Sequence, residues 1–160
     1  MKVYLAGDIA YENRWRPKVA EAVKPFLCQL FSPIDTIDYN LVALERANKD
    51  NQVFVPCDFK KIDMCDIVFA YLRDGSGSLH SGTSCEIGYA KAQGKHIILV
   101  NSLQKLDAYL YQFIQRTADI CFTNLEDGIN YLVEFVSEME YDPTTDWKKR
   151  MKEKKQVVDK

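Results

Sequence analysis

The chain has 160 residues, 47% of them hydrophobic, and a formal net charge of -2. That length suits one globular domain with a substantial core, and the charge excludes a general nucleic-acid surface. The spacing of five cysteines and two histidines excludes the usual zinc patterns, and no apolar run is long enough to span a bilayer.

Val3 to Ala6 reads as a short buried strand, broken at Gly7-Asp8. Trp15 to Lys24 reads as a helix, with Trp15, Val19, Ala22 and Val23 at helical spacing, Pro17 in its first turn and Pro25 at its end. Phe26 to Phe31 is a second apolar run, closed by Ser32-Pro33. Ile34 to Asn51 is polar and irregular, with a short helix expected at Leu41 to Asn48. A connection that long in a compact domain is often functional. A helix is expected after Pro56, which places Asp58 in its first turn. Asp66 to Leu72 is a central strand whose near-continuous apolar content suits a parallel sheet covered on both faces. A polar loop follows, then a helix from Ser84 to Gln93 and a strand from His96 to Val100. Leu106 to Arg116 reads as a helix, Asp119 to Phe122 as a strand and Leu125 to Glu138 as an amphipathic helix. The alternation predicts an α/β domain over residues 1–140, doubly wound around a five-stranded parallel sheet in the order 2-1-3-4-5. Residues 141–160 form a charged tail with no assigned function.

Cys28, Cys57, Cys65, Cys85 and Cys121 lie mostly in or beside apolar runs. They read as reduced core thiols of a cytoplasmic protein, and Met1-Lys2 leads into a strand rather than a signal peptide.

Nucleotide fingerprints are missing: no G-x-G-x-x-G follows the first strand and no G-x-x-x-x-G-K-[ST] occurs. Gly75-Ser76-Gly77 is either a phosphate cradle or a flexible loop. The most informative stretch is Gly82-Thr83-Ser84-Cys85-Glu86-Ile87-Gly88-Tyr89-Ala90. It sets Glu86 in the first turn of a helix at the carboxyl edge of the sheet, where open α/β sheets bind ligands. Glu86 then either attacks an electrophilic carbon as an ionised nucleophile or closes a capping box with Thr83. Tyr4, Gly7, Asp8, Asp58, Asp74, His80 and Ser81 are expected at the same edge. Each has a plain alternative: core aromatic for Tyr4, helix-dipole partner for Asp58, solvent-exposed loop residue for His80. Asp66, which opens its strand, falls at the far edge.

Three segments together resemble the nucleoside 2-deoxyribosyltransferase family. They are Lys2-Val3-Tyr4-Leu5-Ala6-Gly7, the run from Asp58 through Ile62 to Cys65-Asp66-Ile67-Val68, and Ser81 to Ala90 closing with Gly94-Lys95. The resemblance implies a flavodoxin-like, Rossmann-like fold that cleaves the N-glycosidic bond of a 2'-deoxynucleoside and passes the sugar to a second nucleobase. It implies Glu86 as nucleophile, Tyr4 as its orienter and Asp58 as the acid on the base side, with Asp66 structural. Gly7, Asp8, His80, Ser81, Gly82 and Thr83 are the implied substrate-binding residues, with no metal and no organic cofactor. The implied partners are a small nucleoside or nucleotide, a free nucleobase and further copies of the chain, with no nucleic-acid polymer and no membrane. Tyr109, Tyr111 and Phe113 are candidates for an interface between copies, or for core. A related branch, the nucleoside 5'-monophosphate N-glycosidases, hydrolyses nucleotides. Gly7-Asp8-Ile9 resembles its phosphate turn with Asp8 in place of serine, His80 with Ser81 offers an anion site, and Arg14 and Arg16 follow out of clear register. A nucleotide-sensing module that binds without turnover is the reading from another class.

Overall fold

Strand and helix alternate along the chain as β1 (Lys2–Gly7), α1 (Trp15–Val23), β2 (Gln29–Phe31), α2 (Asn51–Asp63) and β3 (Ile67–Leu72). Then come α3 (Ser81–Ala92), β4 (His96–Asn101), α4 (Gln112–Thr117), β5 (Ile120–Phe122) and α5 (Leu125–Tyr141). The computed structural model describes residues 1–8, 14–33, 51–73, 80–103 and 112–141. The connection at 34–50, Asp74 with the Gly75-Ser76-Gly77 loop, Tyr109, Tyr111 and the tail from 142 lie outside the described residues.

All strand pairs are parallel, in the order β2-β1-β3-β4-β5. This is the flavodoxin-like order that the alternation predicts, with its switch point between β1 and β3. Because side chains alternate along a strand, each central strand feeds two cores. Val3, Leu5, Ile67, Phe69, Ile98 and Val100 pack with Val19 and Val23 of α1 and Leu132, Phe135 and Val136 of α5. Tyr4, Ala6, Val68, Ala70, Ile97 and Leu99 pack with Ile62 of α2 and Ile87 and Ala90 of α3. This second face carries the site, and its residues Ala6 and Ala70 are register neighbours near the carboxyl edge. Gly7, at φ 155°, ends β1 against Trp15: an added Cβ would lie 2.9 Å from Cζ2 of that ring and 3.0 Å from the Tyr71 carbonyl. The Trp15 ring in turn stacks on Phe69 and meets Tyr71 edge-on.

Three expectations need correction. Helix α2 starts at Asn51, so Pro56 is inside it and Asp58 is its eighth residue rather than in its first turn. Proline inside a helix removes one bond of the ladder, yet the helix runs through it. Helix α3 starts at Ser81, three residues early, so Glu86 lies in its second turn. The cause is His80, whose left-handed backbone (φ 47°, ψ 24°) sets the N-cap and whose carbonyl accepts from Ser84 N–H at 2.9 Å. Among the cysteines, only Cys65 is buried; Cys57, Cys85 and Cys121 are exposed. Cys57 and Cys85 lie on outward helix faces, and Cys121 lies on the short edge strand β5.

Candidate active site

The buried face of α3 is Thr83, Glu86, Ile87 and Ala90, a spacing of three, four and seven that turns one side of the helix onto the sheet. Glu86 therefore points inward, 8% exposed, over β1. There Tyr4, fully buried, donates its hydroxyl to Glu86 Oε1 at 2.6 Å. On α2, Asp58 stands one turn before the buried Ile62 and so shares its inward face. Its carboxyl also interacts with the Tyr4 side chain. Two carboxyl groups thus converge on one phenol, and neither sits at a helix N-terminus. Helix-dipole and capping-box roles do not account for them, which removes the plain readings of Asp58 and Glu86.

Burial, with the nearby Asp58 charge adding to it, raises the Glu86 carboxyl to about 7. The Tyr4 hydrogen bond and the cations Arg16 and Lys61 pull it back down. Burial also raises Asp58, against the opposing pull of Lys61 and Tyr4. The Tyr4 phenol is pushed far up by burial and by the Glu86 charge, so it stays a donor. The two raised carboxyls act on one phenol and on each other, so their titrations are coupled.

Arg16 was mentioned from sequence only as a residue out of register. Its side chain is buried in α1, 5% exposed, at a spacing of three and seven from Val19 and Val23. That spacing is the signal that could have found it. The guanidinium donates to the carbonyls of Gly7 at 2.9 Å, Asp8 at 3.1 Å and Leu5 at 3.4 Å, and lies over the Trp15 ring at 4.4 Å. It thereby fixes the end of β1, including Gly7 and the Asp8 backbone. Lys61 reaches from α2 to the Ser32 carbonyl at 2.6 Å, tying the other flank to the end of β2.

The remaining sequence candidates are placed as follows. His80 is buried rather than solvent-exposed, with Nε2 3.2 Å from the Arg73 carbonyl. Thr83 is buried on the inner face of α3, whereas Ser81 and Gly82 are exposed, and an added Cβ at Gly82 would meet nothing within 4 Å. Asp66 is at the opposite edge, where its Oδ2 accepts from Lys2 N–H at 2.9 Å. Among the described residues no group of His, Cys, Asp and Glu side chains could hold a metal ion. No described helix is long and apolar enough to cross a membrane.

The open parallel sheet defines a Rossmann-like α/β protein, with Tyr4, Glu86 and Asp58 gathered on one of its faces. A sequence model of the nucleoside 2-deoxyribosyltransferase family matches residues 3–132, and the chain belongs to that family. No curated protein sequence matches it. Among solved structures, the chain resembles a 2-deoxyribosyltransferase from the psychrotolerant bacterium Bacillus psychrosaccharolyticus, with TM-score 0.59 and 20% identity over 82% of this chain and 92% of that one. A conserved protein from Enterococcus faecalis V583 superposes with TM-score 0.58 and 16% identity, covering 86% and 97% of the two chains. The CMP N-glycosidase of Clostridium botulinum gives TM-score 0.50 and 20% identity, covering 82% and 98%. At these identities the likeness is one of fold.

Proposed function

We propose that this chain transfers 2-deoxyribose between nucleobases, with Glu86 as nucleophile, Tyr4 as its positioning donor and Asp58 as the acid and base beside the nucleobase. The observation that carries the reading is the buried Tyr4 to Glu86 hydrogen bond of 2.6 Å, with the Asp58 carboxyl also acting on Tyr4. The ionised Glu86 oxygen attacks C1' while the bond from C1' to the base nitrogen breaks. The electron pair leaves with the base, which takes the Asp58 proton, and the sugar stays as a glutamyl ester. An incoming nucleobase nitrogen then attacks C1', the ester bond breaks, Glu86 regains its charge and Asp58 takes the proton of the acceptor. Two inversions give net retention, as in retaining glycosidases. Gly7, Asp8, His80, Ser81, Gly82 and Thr83 shape the substrate pocket in this reading. It also carries a homo-oligomer, supported by Phe113, which is 79% exposed on α4.

The test is chromatography of 2'-deoxynucleosides and their 5'-monophosphates, each with and without a second base. A new nucleoside formed only when an acceptor is present is the expected result. Base release from monophosphates without acceptor would assign hydrolysis instead, and silence across the panel would leave a binding module. Glu86→Ala should lose at least about a thousandfold in rate; full turnover by that variant rejects the assignment.

A further inference from the structure

Asn101 ends β4 at the carboxyl edge, in register with Leu72 of β3. Along β4, Ile98 and Val100 join the core under α1 and α5, whereas Ile97 and Leu99 join the core under α2 and α3. By the same alternation Asn101 projects from the face that carries Tyr4, Asp58 and Glu86. The residue is only 4% exposed. Its Oδ1 accepts from Leu103 N–H at 3.2 Å, but its buried Nδ2 has no acceptor among the described residues. A buried amide donor left without an acceptor is costly and uncommon. Asn101 follows directly on the apolar run Ile97 to Val100 at the end of β4. The contact to Leu103 accounts for Oδ1 but not for Nδ2, which a ligand oxygen would satisfy.

The identity of that oxygen rests on the deoxyribosyl reading above. With C1' at Glu86, the nucleobase lies toward Asp58 on α2. C4' and C5' lead across the ring, away from the base. Helix α3 packs on β1, β3 and β4, and β4 lies beyond β3 from β1. The two strand spacings amount to about 10 Å, which the Glu86 and Asn101 side chains and the sugar between them together bridge. We propose that Asn101 Nδ2 donates to the oxygen carried on C5', either the hydroxyl of a nucleoside or a phosphate oxygen of a nucleotide. Asn101 is then a specificity-determining residue for the 5' end of the sugar.

Calorimetric binding in a Glu86→Gln background, where no sugar is consumed, tests this. The ligands are a 2'-deoxynucleoside, its 5'-deoxy analogue and its 5'-monophosphate. The parent should bind the hydroxyl compound, or the monophosphate, about tenfold more tightly than the 5'-deoxy analogue. Asn101→Ala should reduce that preference to about twofold or less. Asn101→Asp keeps the acceptor for Leu103 N–H and should weaken the monophosphate most by charge repulsion, while the hydroxyl compound, which can donate to the new carboxylate, should change least. The side-chain NH2 signal of Asn101 in the parent should shift with the 5'-oxygenated ligands and not with the 5'-deoxy analogue, a readout that needs no variant. A preference unchanged by both substitutions, or a parent that binds the three compounds equally or not at all, overturns the proposal. If the preference depends on Asn101 while wild-type protein releases no base, the transfer reading fails and this one stands.

Discussion

At the scale of single residues, the proton of Glu86 links activity to stability. In the proposed reaction Glu86 attacks as the carboxylate, so kcat/KM should rise with pH through about 7. Tyr4→Phe removes a hydrogen bond that favours the charged form, worth about 1.5–3 kcal/mol, so the limb should move up by about one to two pH units. A pH–rate profile of the variant that overlays the wild type rejects the role given to Tyr4. Stability runs the opposite way. Folding raises Glu86 from the ordinary 4.5 to about 7, so between those values the folded state holds more protons than the unfolded one. Stability therefore falls as pH rises across that window and stays lower above it. Glu86→Gln should abolish transfer yet stabilise the fold at pH 8, by about 3 kcal/mol at most. Chemical denaturation at pH 4 and pH 8 checks this, since the gain should vanish at the lower pH.

At the scale of elements, two helical glycines make opposite predictions. Gly128 on α5 faces the sheet, where an added Cβ would overlap Val100 Cγ2 and lie 3.4 Å from Phe69 Cζ. Gly128→Ala should cost about 1–3 kcal/mol by overpacking. Gly88 on α3 is exposed and an added Cβ meets nothing within 4 Å, so Gly88→Ala should gain about 0.5–1 kcal/mol. Thermal melting of the pair gives the two signs. These positions also mark what could be read in advance. The strands and their order were legible because parallel strands buried on both faces are near-continuous apolar runs separated by helical periods. That helices α2 and α3 lie between the strands was legible from the same periodicity. The starts of those helices were not, because Pro56 resembles a first-turn proline and Thr83 with Glu86 resembles a capping box. What decided α3 was a left-handed histidine, a conformation with no reliable local signature. Gly128 and Arg16 are a related case: the close backbone approach at Gly128 is a property of its packed neighbours, and Arg16 shows in the sequence only through its spacing from Val19 and Val23.

At the scale of the whole molecule, the two sheet edges do different work. The amino edge is knitted by Asp119, whose carboxylate accepts from Lys91 Nζ at 2.7 Å and Ile97 N–H at 3.0 Å, with His96 Nδ1 at 3.6 Å. Against the desolvation of its setting, these partners hold Asp119 well below the usual carboxylate range. Its contribution is present above the unfolded value near 4 and lost as pH falls toward the folded one. Asp119→Asn should flatten the acid limb of stability below about pH 4 and cost about 1 kcal/mol at neutrality, solvent around Lys91 screening part of the pair. An acid-unfolding curve with an unaltered slope contradicts this. The other side of the molecule holds the candidate site instead, and its Tyr4 to Glu86 hydrogen bond joins residues 82 apart in the chain. No local fragment can preform such a contact, because its closure waits for β1, α2 and α3 to dock on a sheet assembled through crossovers. Enzymatic activity is therefore a clock for the final docking event: during refolding it should return in the slowest phase, after helical signal has already recovered.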